Sequence, residues 1–271
     1  GILLSYSKSQ LIGIDNFRQS LELQKHRGPD NTGVLRISDE MIIGNVRLSI
    51  TDLSKNSNQP MISDQTSNVI SFNGDIYNYI ELRNYLKKKD ISFFSNGDTE
   101  VLLKYLDLKG IDGINELNGK WAFVFYNKKE NKLIVSRDRF GKQPLYYYKD
   151  KETIIFSSEI KSIYNLLKKK RNLRKNIISE YLRFGYIPND NENTIYHEIH
   201  RILPGITAYI DLNKENIEFE FIKKNTIKNH LEKDSSSNLD ELIYDAVKIR
   251  LRSDVKNAVV VSGGVDSTLI S

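Results

Sequence analysis

Near the end of the chain lies Ser262-Gly263-Gly264-Val265-Asp266-Ser267. The apolar run Ala258-Val259-Val260-Val261 precedes it, and Thr268-Leu269-Ile270 follows. The run reads as a short buried strand and the following residues as the start of a helix, which puts the glycines in a strand-to-helix turn. Such a turn can cradle phosphate. Glycines let backbone N–H groups approach the oxygens closely, and a helix start adds positive potential. Ser262 and Ser267 can add hydroxyl donors. No Lys follows the glycines, so this is not a Walker A loop. The bland alternative is a tight turn with no ligand.

Other motifs sit earlier in the chain. They are His26-Arg27-Gly28-Pro29-Asp30, Arg47-Leu48-Ser49-Ile50, Asn73-Gly74-Asp75-Ile76-Tyr77-Asn78, Gly97-Asp98-Thr99-Glu100 and the stretch Ser136 to Tyr146. In order and spacing they resemble the class II glutamine amidotransferase domain of asparagine synthetases. The resemblance runs on through Phe156-Ser157-Ser158-Glu159 to the closing Ser-Gly-Gly loop, which is similar to that of the ATP pyrophosphatases. It implies an ATP site at Val261, Ser262, Gly263, Gly264, Asp266 and Ser267, with Asp266 a candidate Mg²⁺ ligand. It also implies glutamine contacts from Arg47, Leu48, Ser49, Ile50, Asn73, Gly74, Asp75 and Asp98.

The chemistry of the residue types agrees. Release of ammonia from glutamine needs a grip on the amino-acid head, an oxyanion hole and an activated nucleophile. Arg47 can hold an α-carboxylate through forked hydrogen bonds. Asp98 can hold an α-ammonium. The Asn73 amide and the Gly74 N–H can face a developing oxyanion, where one donor is worth about 3 kcal/mol. Each has a structural alternative: a surface salt bridge for Arg47, a helix cap for Asp98 and a turn pair for Asn73-Gly74. His26 reads as structural. Asp75 departs from the family's usual Glu, a carboxylate one methylene shorter.

In the family the nucleophile is an N-terminal Cys whose own α-amine serves as base. With pKa values near ~8 for the amine and ~8.5 for the thiol, proton transfer is nearly balanced. This chain begins Gly1-Ile2-Leu3 and has no Cys. The resemblance places Gly1 just after that Cys. The expectation is a sequence trimmed at its front, and at its back one turn into a helix. The competing reading is a glutaminase half without a nucleophile, as in the β-lactam synthetases that resemble this family. On the first reading, the full protein makes an amide with glutamine and ATP, most simply asparagine from aspartate, releasing AMP and pyrophosphate. The chain as given is then expected to be inactive in the overall reaction. Rival readings are the same build acting on a sugar carboxylate or peptide, or a non-catalytic glutamine- or ATP-binding module.

These residues need elements to position them. The expected fold class is α+β. The resemblance implies a four-layer αββα sandwich of the N-terminal-nucleophile type over residues 1–222, then a linker over 223–238, then the truncated start of an α/β nucleotide-binding domain over 239–271. Gly1 to Tyr6 reads as a first strand, Val69 to Phe72 as another, and Trp121 to Tyr126 and Leu133 to Val135 as unbroken apolar strands covered on both faces. Helical periodicity predicts Ile14–Leu23, Tyr79–Lys89 and Asp98–Lys109, the last ended by Gly110. Asn78 and Glu81 stand at capping-box spacing, with Ile80, Leu82 and Leu86 inward. Leu239 to Leu251 reads as an amphipathic helix with Leu242, Ile243, Ala246 and Val247 inward.

Composition sets the frame. Of 271 residues, 39% are hydrophobic, enough for a core and against wholesale disorder. The net charge is +5 and the pI near 9.0. Yet the 40 Lys and Arg are interspersed with 35 Asp and Glu, so the charge does not point to nucleic acid. Lys168-Lys169-Lys170-Arg171 reads as a solvated helix end. Without Cys there is no disulfide framework or thiolate metal site. No signal peptide or membrane span is legible, which makes a soluble, cytoplasmic protein the expectation. A homodimer is left open.

Overall fold

The computed structural model describes residues 1–9, 12–187, 191–224 and 238–270. The strands are β1 (Ile2–Ser7), β2 (Asn31–Arg36), β3 (Met41–Arg47), β4 (Met61–Ile62), β5 (Val69–Ile76), β6 (Gly119–Asn127), β7 (Lys132–Arg137), β8 (Tyr146–Lys149), β9 (Thr153–Ser157), β10 (Ile199–Arg201), β11 (Ile206–Asp211) and β12 (Glu220–Lys224). The helices are α1 (Ile14–Glu22), α2 (Tyr79–Lys87), α3 (Asp98–Lys109), α4 (Ile160–Leu167), α5 (Lys175–Phe184), α6 (Leu239–Arg250) and α7 (Val265–Ile270).

Two antiparallel sheets stack face to face. One runs β10-β8-β9-β1-β3-β2 and the other β12-β11-β7-β6-β5-β4. The continuous apolar runs are explained by the period of two along a strand. In β1, Ile2, Leu4 and Tyr6 enter the core between the sheets, while Leu3 packs outward with Phe17 and Leu21 of α1 and Ile163 of α4. In β6, Ala122, Val124 and Tyr126 face the other sheet. Trp121, Phe123 and Phe125 face α2 and α3, where Leu82, Leu86, Val101, Leu102, Tyr105 and Leu106 meet them. Both faces of the central strands are therefore dry, and the order is helix, sheet, sheet, helix. The four-layer expectation holds for this part.

Several local expectations do not hold. Asn78 precedes α2 but makes no side-chain cap bond. Its Nδ2 donates to the Glu116 carbonyl at 2.9 Å and its Oδ1 accepts the Asn118 N–H at 2.9 Å. Glu81 instead pairs with Arg252. Tertiary partners have replaced the capping box. Ile80 is 40% exposed and not inward, since Leu82 and Leu86 already fill the contact with α3. Lys223 and Lys224 belong to β12, and Asn238 caps α6 by accepting the Asp240 N–H at 3.2 Å. The rest of the expected linker lies outside the described residues.

Beyond residue 238 the packing is thin. Neither α6 nor α7 buries a residue. Leu242, expected inward, is exposed, and Ile243, Ala246 and Val247 are only half-buried. Ala258 to Val261 form no strand and are exposed. Among the described residues, no strand lies beside them to complete a ladder, and an unpaired strand is not stable alone. The helix after the glycines starts at Val265 and not at Thr268.

Candidate glutamine site

The walls of one cavity gather most of the expected residues. It measures about 260 Å³ and is lined by Gly1, Arg47, Leu48, Ile50, Asn73, Gly74, Asp75 and Asp98, among others. Ser49 is not among its lining residues; its N–H donates to Asp30 Oδ2 at 2.7 Å, which turns it toward the Arg27–Asp30 turn.

Three elements converge here. Arg47 ends β3, Asn73 to Asp75 lie in β5, and Asp98 opens α3. The Asn73-Gly74 pair is not a turn, because it pairs with Ala122 and Trp121 in mid-strand. Gly74 has φ +147°, and a Cβ there would lie 2.0 Å from the Lys120 carbonyl oxygen. Only glycine fits that position. Gly28 is needed for contact: a Cβ would stand 2.5 Å from the backbone of Val46 and Arg47. That close approach brings Arg27 to the cavity wall.

Arg47 is 7% exposed, and its guanidinium is already engaged. Nη1 donates to the Ser54 carbonyl and to Asn58 Oδ1, each at 3.2 Å. Nη2 donates to the Thr51 carbonyl at 3.1 Å and to that of Asp52. Arg47 is thus no surface salt bridge; it braces the 51–58 loop. Burial pulls its pKa down, while Asp52, Asp98 and Asp30 oppose that shift.

Asp98 is not the cap of α3; Gly97 is, and Asp98 is the first helical residue. Its Oδ2 accepts the Ile76 N–H at 2.9 Å, linking α3 to the end of β5. Burial raises its pKa to about 7, with nearby Asp75 adding to the rise and N–H donors opposing it. Asp75 itself pairs with Lys120 at 2.8 Å. Burial lowers the Lys120 pKa, but the bond to Asp75 more than offsets it, and the net shift is upward.

Other residues at the site had no role assigned from the sequence, although Gln143 and Asp138 fall in the Ser136 to Tyr146 stretch. Gln143 Oε1 accepts from Asn73 Nδ2 at 3.0 Å. Asp138, 1% exposed, sets its place by accepting the N–H groups of Trp121, Phe140, Lys142 and Gln143 at 3.0 to 3.2 Å. Gln59 and Asn45 also line the cavity: Gln59 Oε1 accepts the Phe72 N–H at 2.7 Å and its Nε2 donates to Thr99 Oγ1 at 3.3 Å. Asn45 Nδ2 donates to Ser71 Oγ at 3.0 Å and the Phe72 carbonyl at 3.2 Å. One signal was available: Asn45 interrupts the otherwise apolar Met41-Ile42-Ile43-Gly44-Asn45-Val46. A buried amide in such a run must have partners. His26, read as structural, bonds Glu159 at 2.7 Å, and Lys161 joins the same carboxylate at 3.0 Å.

The glycine loop stands apart from these walls. Ser262 Oγ and Ser267 Oγ lie 2.9 Å apart, and Ser267 Oγ donates to the Gly264 carbonyl at 3.0 Å. Gly263 has φ +80°. Val261, Ser262, Gly263, Gly264 and Asp266 are exposed and Ser267 half-buried. Among the described residues, no group of three or more His, Cys, Asp or Glu could hold a metal ion, at Asp266 or elsewhere. No described helix is long and apolar enough to cross a membrane.

Comparison with known proteins agrees with this architecture. Residues 1–221 match the glutamine amidotransferase domain model, and residues 238–271 match the asparagine synthase model. The chain is 36% identical to the putative asparagine synthetase [glutamine-hydrolyzing] 2 of Methanocaldococcus jannaschii, over 91% of this chain and 51% of that one. It is 33% identical to asparagine synthetase [glutamine-hydrolyzing] 1 of Bacillus subtilis, over 93% and 39%. The chain thus spans about half the length of these relatives, or less. Among solved structures it superposes on the B. subtilis glutamine phosphoribosylpyrophosphate amidotransferase, with TM-score 0.58, 17% identity, and 83% of this chain and 49% of that one covered. An allosteric regulatory enzyme of purine biosynthesis gives TM-score 0.60 at 16% identity, over 99% and 62%. At those identities the likeness is one of fold. The chain belongs to the glutamine amidotransferase domain family, with the beginning of an asparagine synthase domain after it.

Proposed function

We propose that the protein takes part in glutamine-dependent, ATP-consuming amide synthesis, converting aspartate to asparagine with release of AMP and pyrophosphate. The supporting observation is the convergence of Arg47, Asn73, Gly74 and Asp98 on one cavity beside Gly1. In this reading residues 1–222 handle glutamine, 223–238 connect, and 239–271 begin the ATP-binding part.

Glutamine enters with its head toward Arg47 and Asp98. Its carboxylate takes over Arg47 donors now given to the loop. The bond to Asn58 Oδ1 yields first, because a side-chain amide can rotate away while the backbone carbonyls of Thr51, Asp52 and Ser54 are held. Its ammonium meets the Asp98 carboxylate. Asn73 Nδ2, held by Gln143, and the Gly74 N–H stabilise the oxyanion formed at the amide carbon. Leu48, Ile50 and Asp75 complete the walls.

ATP suits the glycine loop by the character of its groups: two hydroxyls and, at Gly263 with φ +80°, a backbone with nothing within 4 Å of where a Cβ would stand. Val261, Ser262, Gly263, Gly264, Asp266 and Ser267 would hold it, and it would supply the activation of a carboxylate for attack by ammonia. Mg²⁺ would draw one ligand from Asp266 and the rest from phosphate and water.

The test uses two preparations. L-glutamine is titrated calorimetrically into the chain, and glutamate release is assayed in a variant with Cys placed ahead of Gly1. Saturable binding together with release supports the reading. Binding without release makes the chain a glutamine-binding module. Failure to bind in well-folded protein removes the amidotransferase reading.

A further inference from the structure

The turn after α6 reaches back across the sequence to the cavity rim. Asp254 N–H donates to the Ile50 carbonyl at 3.0 Å. Asp254 Oδ2 accepts the Asp52 N–H at 2.7 Å, across 202 positions of sequence. These two bonds grip the backbone on either side of Thr51, whose carbonyl is an acceptor for Arg47. Arg252 makes a second grip, just past the end of β5 and on α2. Its Nη1 donates to the Tyr77 carbonyl at 2.6 Å, next to the end of β5. Both of its terminal nitrogens bond the Glu81 carboxylate at 2.6 Å, a two-pronged pair. The Arg250 guanidinium sits 5.1 Å from the Tyr77 ring centroid.

The turn is itself braced. Val255 N–H donates to Ser253 Oγ at 3.1 Å, and Asn257 Nδ2 to the Leu251 carbonyl at 2.8 Å. A stiff segment with two separate grips can transmit position. It also leads directly into the Ser262–Ser267 loop. α6 and α7 bury nothing, so a few directed polar bonds, and no apolar core, hold this segment to the sandwich.

We propose that Asp254 and Arg252 are positioning residues for the glutamine cavity, tying its rim loop Ile50–Asp52 and the end of β5 to the segment that carries the phosphate loop. This rests on the reading of the cavity as a glutamine site. Asp254 acts through Thr51 on Arg47; Arg252 acts through Tyr77 on the strand that holds Asn73 and Gly74. Neither lines the cavity.

The experiment compares the chain with Asp254→Ala, Asp254→Asn and Arg252→Ala. Three readouts are taken: the Kd for L-glutamine, amide exchange in the peptide spanning Ile50 to Ser54, and the melting temperature. Asp254→Ala is expected to weaken glutamine binding about tenfold and speed exchange at the Asp52 amide, with the melting temperature nearly unchanged. Asp254→Asn keeps an oxygen to accept that N–H, and is expected to restore most of the affinity. Arg252→Ala is expected to weaken binding several-fold. Wild-type affinity in both alanine variants overturns the proposal, as does an Asn variant as weak as Ala. Should wild type fail to bind glutamine, the cavity reading falls separately, and the exchange readout decides: unchanged protection at Asp52 in Asp254→Ala then removes the tie as well.

Discussion

At the scale of single residues, Asp98 carries the clearest pH signature. Its folded pKa, about 7, lies above its ordinary 3.8 because burial disfavours the charge. The folded state therefore holds a proton that the unfolded chain has lost between those two values. Stability should fall as pH rises through that window, by up to roughly 1.4 kcal/mol per pH unit, and level off above it. Asp98→Asn removes the titration, so denaturant melts across pH 4 to 8 should show the variant gaining on wild type up to about pH 7. Glutamine binding should move in the opposite sense. An ammonium prefers the ionised carboxylate, so affinity should rise toward pH 7 and then flatten. Arg47→Lys cannot reproduce a planar fork. It should weaken glutamine roughly tenfold to hundredfold by calorimetry, the worth of a charge-assisted pair. Gly74→Ala places a methyl against the Lys120 carbonyl and should cost about 3 kcal/mol in a chemical melt.

At the scale of elements, the site depends on loops pinned by buried polar groups. Asp138 holds four N–H donors, three in the segment between β7 and β8 and the fourth from Trp121 of β6. Arg137 adds bonds to the Gln143 and Gly141 carbonyls, each at 2.7 Å. Asp138→Ala strands those donors and should destabilise by about 2–4 kcal/mol. It should also release Gln143 from Asn73, so glutamate release in the Cys-bearing variant should fall more than glutamine affinity does. Asp52 does the same work on the other rim. Its carboxylate accepts from Ser54 N–H, Ser57 Oγ and Asn96 N–H at 2.6 to 2.9 Å. Burial pushes its pKa up, but those donors hold it well below the usual carboxylate range.

At the scale of the whole molecule, the sandwich and the C-terminal segment differ in kind. The sandwich has three apolar layers, and the central one buries Phe156 completely against Tyr147 and Phe219. Phe156→Ala should cost about 3–5 kcal/mol, because two rigid sheets cannot close over the void. By contrast Leu242→Ala on α6 should change stability by under about 0.5 kcal/mol, since that side chain stays exposed on folding. Hydrogen exchange should separate the two regions. Amides of β1 and β6 should exchange only through global opening, those of α6 and α7 orders of magnitude faster.

The linear order of residues determined a good deal alone. Motif order pointed to the family, unbroken apolar runs to sheets covered twice, and Gly110 to the end of α3, where φ is +58°. These signals are local: they depend on periodicity, on residue size and on which residues tolerate a left-handed backbone. Tertiary structure decided the rest. Asn78 and Glu81 have capping-box spacing, yet both find stronger partners far along the chain. Ala258 to Val261 look like a strand, yet a strand exists only where a neighbour accepts its hydrogen bonds. Gln59 and Asn45 carry no motif, and Gln143 lies in one that names no role for it; their meeting in one cavity wall follows from strands that come together across tens of residues. Asp98 shows the division most simply: its type permitted a cap or a ligand, and only burial beside Asp75 set its charge.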